Sequence, residues 1–168
     1  GLGDVYKRQL YYNHLNTGRP DPDSHSFNRY SSNYLDMSNE PLYPFGYGLS
    51  YTNFSYGNLQ LSSDVLSRNG ELTVSVTVTN DGDFDGYEIV QMYLHDIYAE
   101  ISRPVKELKG FERIFLKKGE SREVKFVITE DDLRFYNSGL QYVYEPGEFD
   151  VMVGANSRDV QTERFRAD

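Results

Sequence analysis

Leu72-Thr73-Val74-Ser75-Val76-Thr77-Val78-Thr79 is the stretch whose reading decides the fold. Aliphatic side chains take every second position and hydroxyl-bearing ones the positions between, the two-residue period of a strand with one buried face. Val and Thr are β-branched and suit pleated backbone. Downstream, Asn80-Asp81-Gly82-Asp83-Phe84-Asp85-Gly86 is rich in turn formers. A second strand then runs from Glu88 to His95, with Val90, Met92 and Leu94 on one face and Gln91, Tyr93 and His95 on the other. The alternation returns at Val124, Phe126 and Ile128, and again at Phe149, Val151 and Val153. Pro146-Gly147 fits the central pair of a type II turn that opens the last of these. Shorter segments at Leu59–Leu61, Ile114–Leu116, Leu140–Tyr144 and Val160–Phe165 bring the expected total to about seven or eight strands. Regular spacing of short strands predicts an all-β fold, an antiparallel β-sandwich of roughly 100 residues occupying 57–168. Glu130–Phe135 reads as one helical turn with Thr129 as its cap, because acidic residues follow the hydroxyl.

Upstream the pattern disappears. Residues 10–56 hold eleven of the chain's 25 aromatic side chains but neither hydrophobic period. Pro41-Leu42-Tyr43-Pro44-Phe45-Gly46-Tyr47-Gly48-Leu49-Ser50-Tyr51-Thr52 packs two prolines, two glycines and four rings into twelve residues. Neither a helix nor a central strand tolerates that mixture, so a fixed, packed connector is expected. Tyr11 and Tyr12 read as part of a short strand ended by Gly18-Arg19-Pro20, and Asp21-Pro22-Asp23-Ser24-His25-Ser26 as a loop. So many rings without a scaffold imply a partner surface outside the segment.

At 168 residues the chain suits one domain and an appendage. A net charge of −9, spread along the sequence, argues against attraction to nucleic acid or an anionic membrane. The absence of cysteine excludes disulfides, thiol catalysis and Cys-based metal sites. No apolar run approaches the roughly 18 residues of a membrane span. Gly1–Gln9 lacks an apolar period and reads as a leader foreign to the fold.

Three motifs carry a family resemblance. Pro41–Thr52 resembles the Pro-Phe-Gly-x-Gly-Leu-Ser-Tyr-Thr signature of glycoside hydrolase family 3, the β-glucosidase and β-xylosidase group, where it leads into a terminal fibronectin type III-like domain. Tyr11–Pro20 resembles the segment upstream of that signature in the bacterial periplasmic β-glucosidases. Ser102-Arg103-Pro104-Val105-Lys106-Glu107-Leu108-Lys109-Gly110-Phe111-Glu112 resembles a run inside the terminal domain. The resemblance implies an immunoglobulin/fibronectin type III-like sandwich with an irregular aromatic-rich N-terminal segment, divided as 1–9 leader, 10–56 tail of an α/β domain plus linker, and 57–168 terminal domain. It also implies an intact enzyme, periplasmic or secreted, that releases β-linked sugar by a retaining mechanism without a cofactor. This chain would be its structural, non-catalytic tail. Its partners would be the catalytic domains of the same polypeptide and, through them, an oligosaccharide substrate.

Glycoside hydrolysis needs two carboxyl groups flanking the bond. Neither family motif that supplies them occurs here, so no catalytic residue is assigned; Asp36 and Glu40, beside the connector, are the carboxylates to test, with solvated surface groups the plainer reading. Arg29, Tyr30, Tyr34 and Phe45 are candidates to reach the rim of the parent's sugar site, against interdomain packing as the commoner fate of such rings. Asp81, Asp83 and Asp85 match the first half of a calcium loop, but Met92 stands where the bidentate Glu belongs, and a turn between strands is preferred. His14, His25 and His95 share no metal spacing and read as structural, His14 through a hydrogen bond to the connector. Asn53-Phe54-Ser55 has the form of a glycosylation sequon. From Arg103 to Lys118, basic residues interleave with Val105, Leu108, Phe111, Ile114 and Leu116, which predicts strands with a solvated basic face. The alternative from another class is a stand-alone module binding carbohydrate or protein, which would show an exposed aromatic strip on one sheet face.

Overall fold

The computed structural model describes residues 11–15 and 40–168. Among the described residues, ten strands and one helical turn follow in order: β1 (Phe54–Leu61), β2 (Val65–Leu66), β3 (Glu71–Asn80), β4 (Gly86–Asp96), β5 (Glu107–Leu116), β6 (Ser121–Thr129), α1 (Glu130–Leu133), β7 (Phe135–Tyr136), β8 (Tyr142–Val143), β9 (Gly147–Gly154) and β10 (Val160–Ala167). Two layers form, a three-stranded sheet ordered β1-β3-β6 and a five-stranded sheet ordered β2-β10-β9-β4-β5, with β7-β8 as a separate small ladder. The expected sandwich is present. Its pairings are antiparallel except at one short edge, where β2 runs parallel to β10.

The alternation in β3 does what its period dictates. Leu72, Val74, Val76 and Val78 are fully buried, and with Val124 and Ile128 of β6 they face Val90, Met92 and Leu94 of β4 and Phe149, Val151 and Val153 of β9. Each such aliphatic side chain contributes roughly 1.5–3 kcal/mol over remaining in water. β1 begins earlier than the expected Leu59, at Phe54, because Phe54 and Tyr56 also reach the core. The capped turn appears as expected, the Asp132 carboxylate accepting hydrogen bonds from the Thr129 N–H at 2.8 Å and its hydroxyl at 2.9 Å.

Four expectations need correction. Gly147 is not at positive φ, so Pro146-Gly147 is no type II turn; Gly147 instead starts β9, opposite Ala167. Tyr11 and Tyr12 lie in no strand, since the segment 11–15 turns and pairs with the rest of the chain only through an isolated bridge, Leu15 to Pro104, among the described residues. Phe111 points outward with Arg113 and Phe115, because the core positions Ile114 and Leu116 set the parity of β5. Arg103 is no part of a solvated basic face. It is 8% exposed, paired with Glu107 at 3.2 Å and stacked over Phe135 at 4.5 Å.

Candidate functional site

β4 is the strand on which the candidate site is built. One of its faces joins the core through Val90, Met92 and Leu94, so strand geometry turns Gln91, Tyr93 and His95 to the opposite, outer face of the five-stranded sheet. Such a face is ordinarily wet. Here Tyr93 is 0% exposed and Gln91 nearly so, because the aromatic connector lies across them.

Phe45 stacks on Tyr12 with ring centroids 4.1 Å apart, and Tyr12 meets the Tyr93 ring edge-on at 5.9 Å. Gln91 then fixes the backbone. Its amide Nε2 donates to the carbonyls of Gly46 (3.2 Å) and Ala155 (2.6 Å), while its Oε1 accepts from the Tyr93 hydroxyl at 2.5 Å. Gly46 sits at φ +80°, and a Cβ there would come within 2.0 Å of the Gln91 carboxamide, so the approach admits no side chain. The Ser157 N–H, in the β9–β10 turn, donates to the Phe45 carbonyl at 2.9 Å, and the Lys106 ammonium donates to the Ser157 carbonyl at 2.5 Å. Burial lowers the Lys106 pKa, against the pull of the Glu40 carboxylate.

The connector's far end is held as firmly. The Thr52 hydroxyl donates to Asn80 Oδ1 at 2.6 Å, and the fully buried Asn80 sends its own amide to the carbonyls of Phe84 (2.8 Å) and Leu116 (3.1 Å). One side chain thus ties the connector to the turn after β3 and to the end of β5. The other side of the connector is bare. Leu42, Tyr43, Leu49 and Tyr51 point away from the sandwich, Leu49 90% and Tyr51 97% exposed.

The expected site residues fare unequally. Arg29, Tyr30, Tyr34, Asp36 and His25 lie outside the described residues. Phe45 is a docking ring, stacked on Tyr12 and still 44% exposed. His14 does not bond the connector. Its ring faces the Tyr11 carbonyl at 2.9 Å, and its carbonyl accepts from Val105 N–H, stitching residues 11–15 to the loop between β4 and β5. His95 lies 3.9 Å from Asp150; burial lowers its pKa more than that carboxylate raises it. Asp83 and Asp85 are occupied by Lys118, through its ammonium at 2.7 Å and its backbone N–H at 2.8 Å, and no three potential ligands converge among the described residues. Carboxylates do gather around Arg103, where Asp96, Glu107 and Asp132 line a cavity with Lys109. That cavity has room for about one water and none for a pyranose. Sequence reasoning missed Gln91, Asn80 and Thr52. The signal for Gln91 was its place on a strand whose outer-face neighbour is Tyr93.

A fibronectin type III-like domain model matches residues 88–157. The periplasmic β-glucosidase of Salmonella typhimurium is 50% identical over 157 residues, 93% of this chain but 20% of that protein. A β-xylosidase of Formosa agariphila is 51% identical over 118 residues, covering 70% of this chain and 16% of its own length. Among solved structures, the β-glucosidase of Listeria innocua in complex with gluconolactone superposes with a TM-score of 0.88 at 46% identity, covering 94% of this chain and 22% of that one. The chain therefore spans about a fifth of the length of these relatives.

Proposed function

The chain belongs with the β-glucosidases and β-xylosidases that carry a fibronectin type III-like domain, as the part that holds that domain, and from this we propose that it serves as their non-catalytic support. The observation that carries the reading is the two-sided connector. One side is bonded to the sandwich through Gln91, Ser157 and Asn80, while the other presents Leu42, Tyr43, Leu49 and Tyr51 to water. A segment anchored so firmly, with apolar groups bare on its far side, fits a joint between two bodies. The second body is the upstream catalytic part of the same polypeptide, and residues 10–56 are its last segment and the linker. The parent enzyme releases β-linked glucose or xylose from oligosaccharides by two carboxyl groups supplied upstream, without a cofactor, in the periplasm or outside the cell. One relative is periplasmic by name.

The test compares this chain with the protein read from the complete gene. The complete protein hydrolyses an aryl β-glucoside or β-xyloside, and the 168-residue chain does not. Phe45→Ala in the complete protein lowers its melting temperature. Hydrolysis by the isolated chain, or an unchanged melting temperature, contradicts the proposal.

A further inference from the structure

The outer face of the five-stranded sheet divides into a covered half and an open one. Tyr12, Phe45 and Gly46 cover Tyr93 and Gln91. Beyond them the register sets Gln91 beside Phe111, Ile89 beside Arg113 and Tyr87 beside Phe115. These last five side chains, Phe111, Ile89, Arg113, Tyr87 and Phe115, stand exposed together, Phe111 at 69%. The Tyr87 and Phe115 rings lie 4.9 Å apart, and the Arg113 guanidinium carbon sits 3.7 Å over the Tyr87 ring. Arg113 makes no ion pair among the described residues. Aromatic rings with a stacked arginine are the composition of an interface core, and soluble proteins seldom leave such a patch to water.

We propose that Tyr87, Ile89, Phe111, Arg113 and Phe115 form a second docking surface, separate from the connector, for the upstream body of the same polypeptide. The inference rests on the support role argued above. Continuity selects this occupant: Gln91, which holds the Gly46 carbonyl, is the cross-strand neighbour of Phe111, so whatever follows the bare side of the connector meets the open patch next. Length agrees, since the relatives are about five times as long as the matched part. The occupant presents a carboxylate or carbonyl to Arg113, because a guanidinium covered without an acceptor is strongly disfavoured.

Hydroxyl-radical footprinting of the complete protein and of the 168-residue chain reads the patch directly. Tyr87, Phe111 and Phe115 are expected to oxidise severalfold more slowly in the complete protein, at any protein concentration and without added sugar. Equal oxidation of these three, with Tyr43 and Tyr51 protected, overturns the second surface and leaves the support role standing. Equal oxidation of all five rings overturns both. Protection that appears only on adding a β-glucan oligosaccharide, or only as concentration rises, also overturns it, in favour of a saccharide or a second copy. Arg113→Ala is expected to lower the melting temperature of the complete protein and leave that of the isolated chain unchanged; no change in either counts against the proposal.

Discussion

Asp96, the last residue of β4, and Arg103 line one small cavity, both almost fully buried, and neither is fully satisfied: Asp96 Oδ1 and Arg103 Nε make no hydrogen bond. Burial pushes the Asp96 carboxyl from 3.8 up to about 6, against the attraction of Arg103, with Glu145 and Glu107 adding to the rise. The folded chain therefore keeps a proton that the unfolded chain has already released between about pH 4 and pH 6. Stability from this group is greatest below that window and declines as pH rises through it. Asp96→Asn removes the buried charge while Arg103 keeps Glu107 at 3.2 Å. Thermal melts at pH 4 and pH 7 should show a shallower decline for the variant and a higher melting temperature at pH 7. Parallel declines would sink the assignment.

At the scale of elements, the connector is ordered by the strand beneath it rather than by its own propensity. Its prolines and glycines leave it few backbone bonds of its own; Gln91 and Ser157 supply partners for the Gly46 and Phe45 carbonyls, and Asn80 holds the Thr52 hydroxyl. Gly46→Ala tests this contact. An alanine at φ +80° is strained, and its Cβ meets the Gln91 carboxamide, together costing about 1–3 kcal/mol. Hydrogen exchange at Ser157 N–H, which is bonded to Phe45, should accelerate in the variant while amides in the centre of β3 keep their protection. Unchanged exchange at Ser157 would mean that Gln91 does not hold the connector down.

For the whole molecule, two apolar surfaces stand exposed among the described residues, the far side of the connector and the open half of the outer sheet face. Its net charge of −9 opposes self-association. Leu49→Ser with Tyr51→Ser should raise the solubility of the isolated chain and change its unfolding free energy by no more than about 0.5 kcal/mol, because both side chains point into water. The same pair should destabilise the complete protein. Urea titrations of both lengths check the difference, and an equal effect in both would place these side chains outside any joint.

The strands were legible because a buried face imposes a two-residue period that survives in the letters, as at Leu72, Val74, Val76 and Val78. The connector was legible as a segment that is neither helix nor strand. Where it went was not. Tyr12 and Phe45 find part of their cover on this chain's own sheet, against the expectation that all such rings need an outside partner, because Gln91 and Tyr93 were free to be dry once another segment lay on them. Phe111 reads as an inward apolar residue until its parity with Arg113 is counted back from Ile114. Local period records which residues share a face; which faces meet depends on contacts between residues far apart in the chain, and those only the tertiary structure decided.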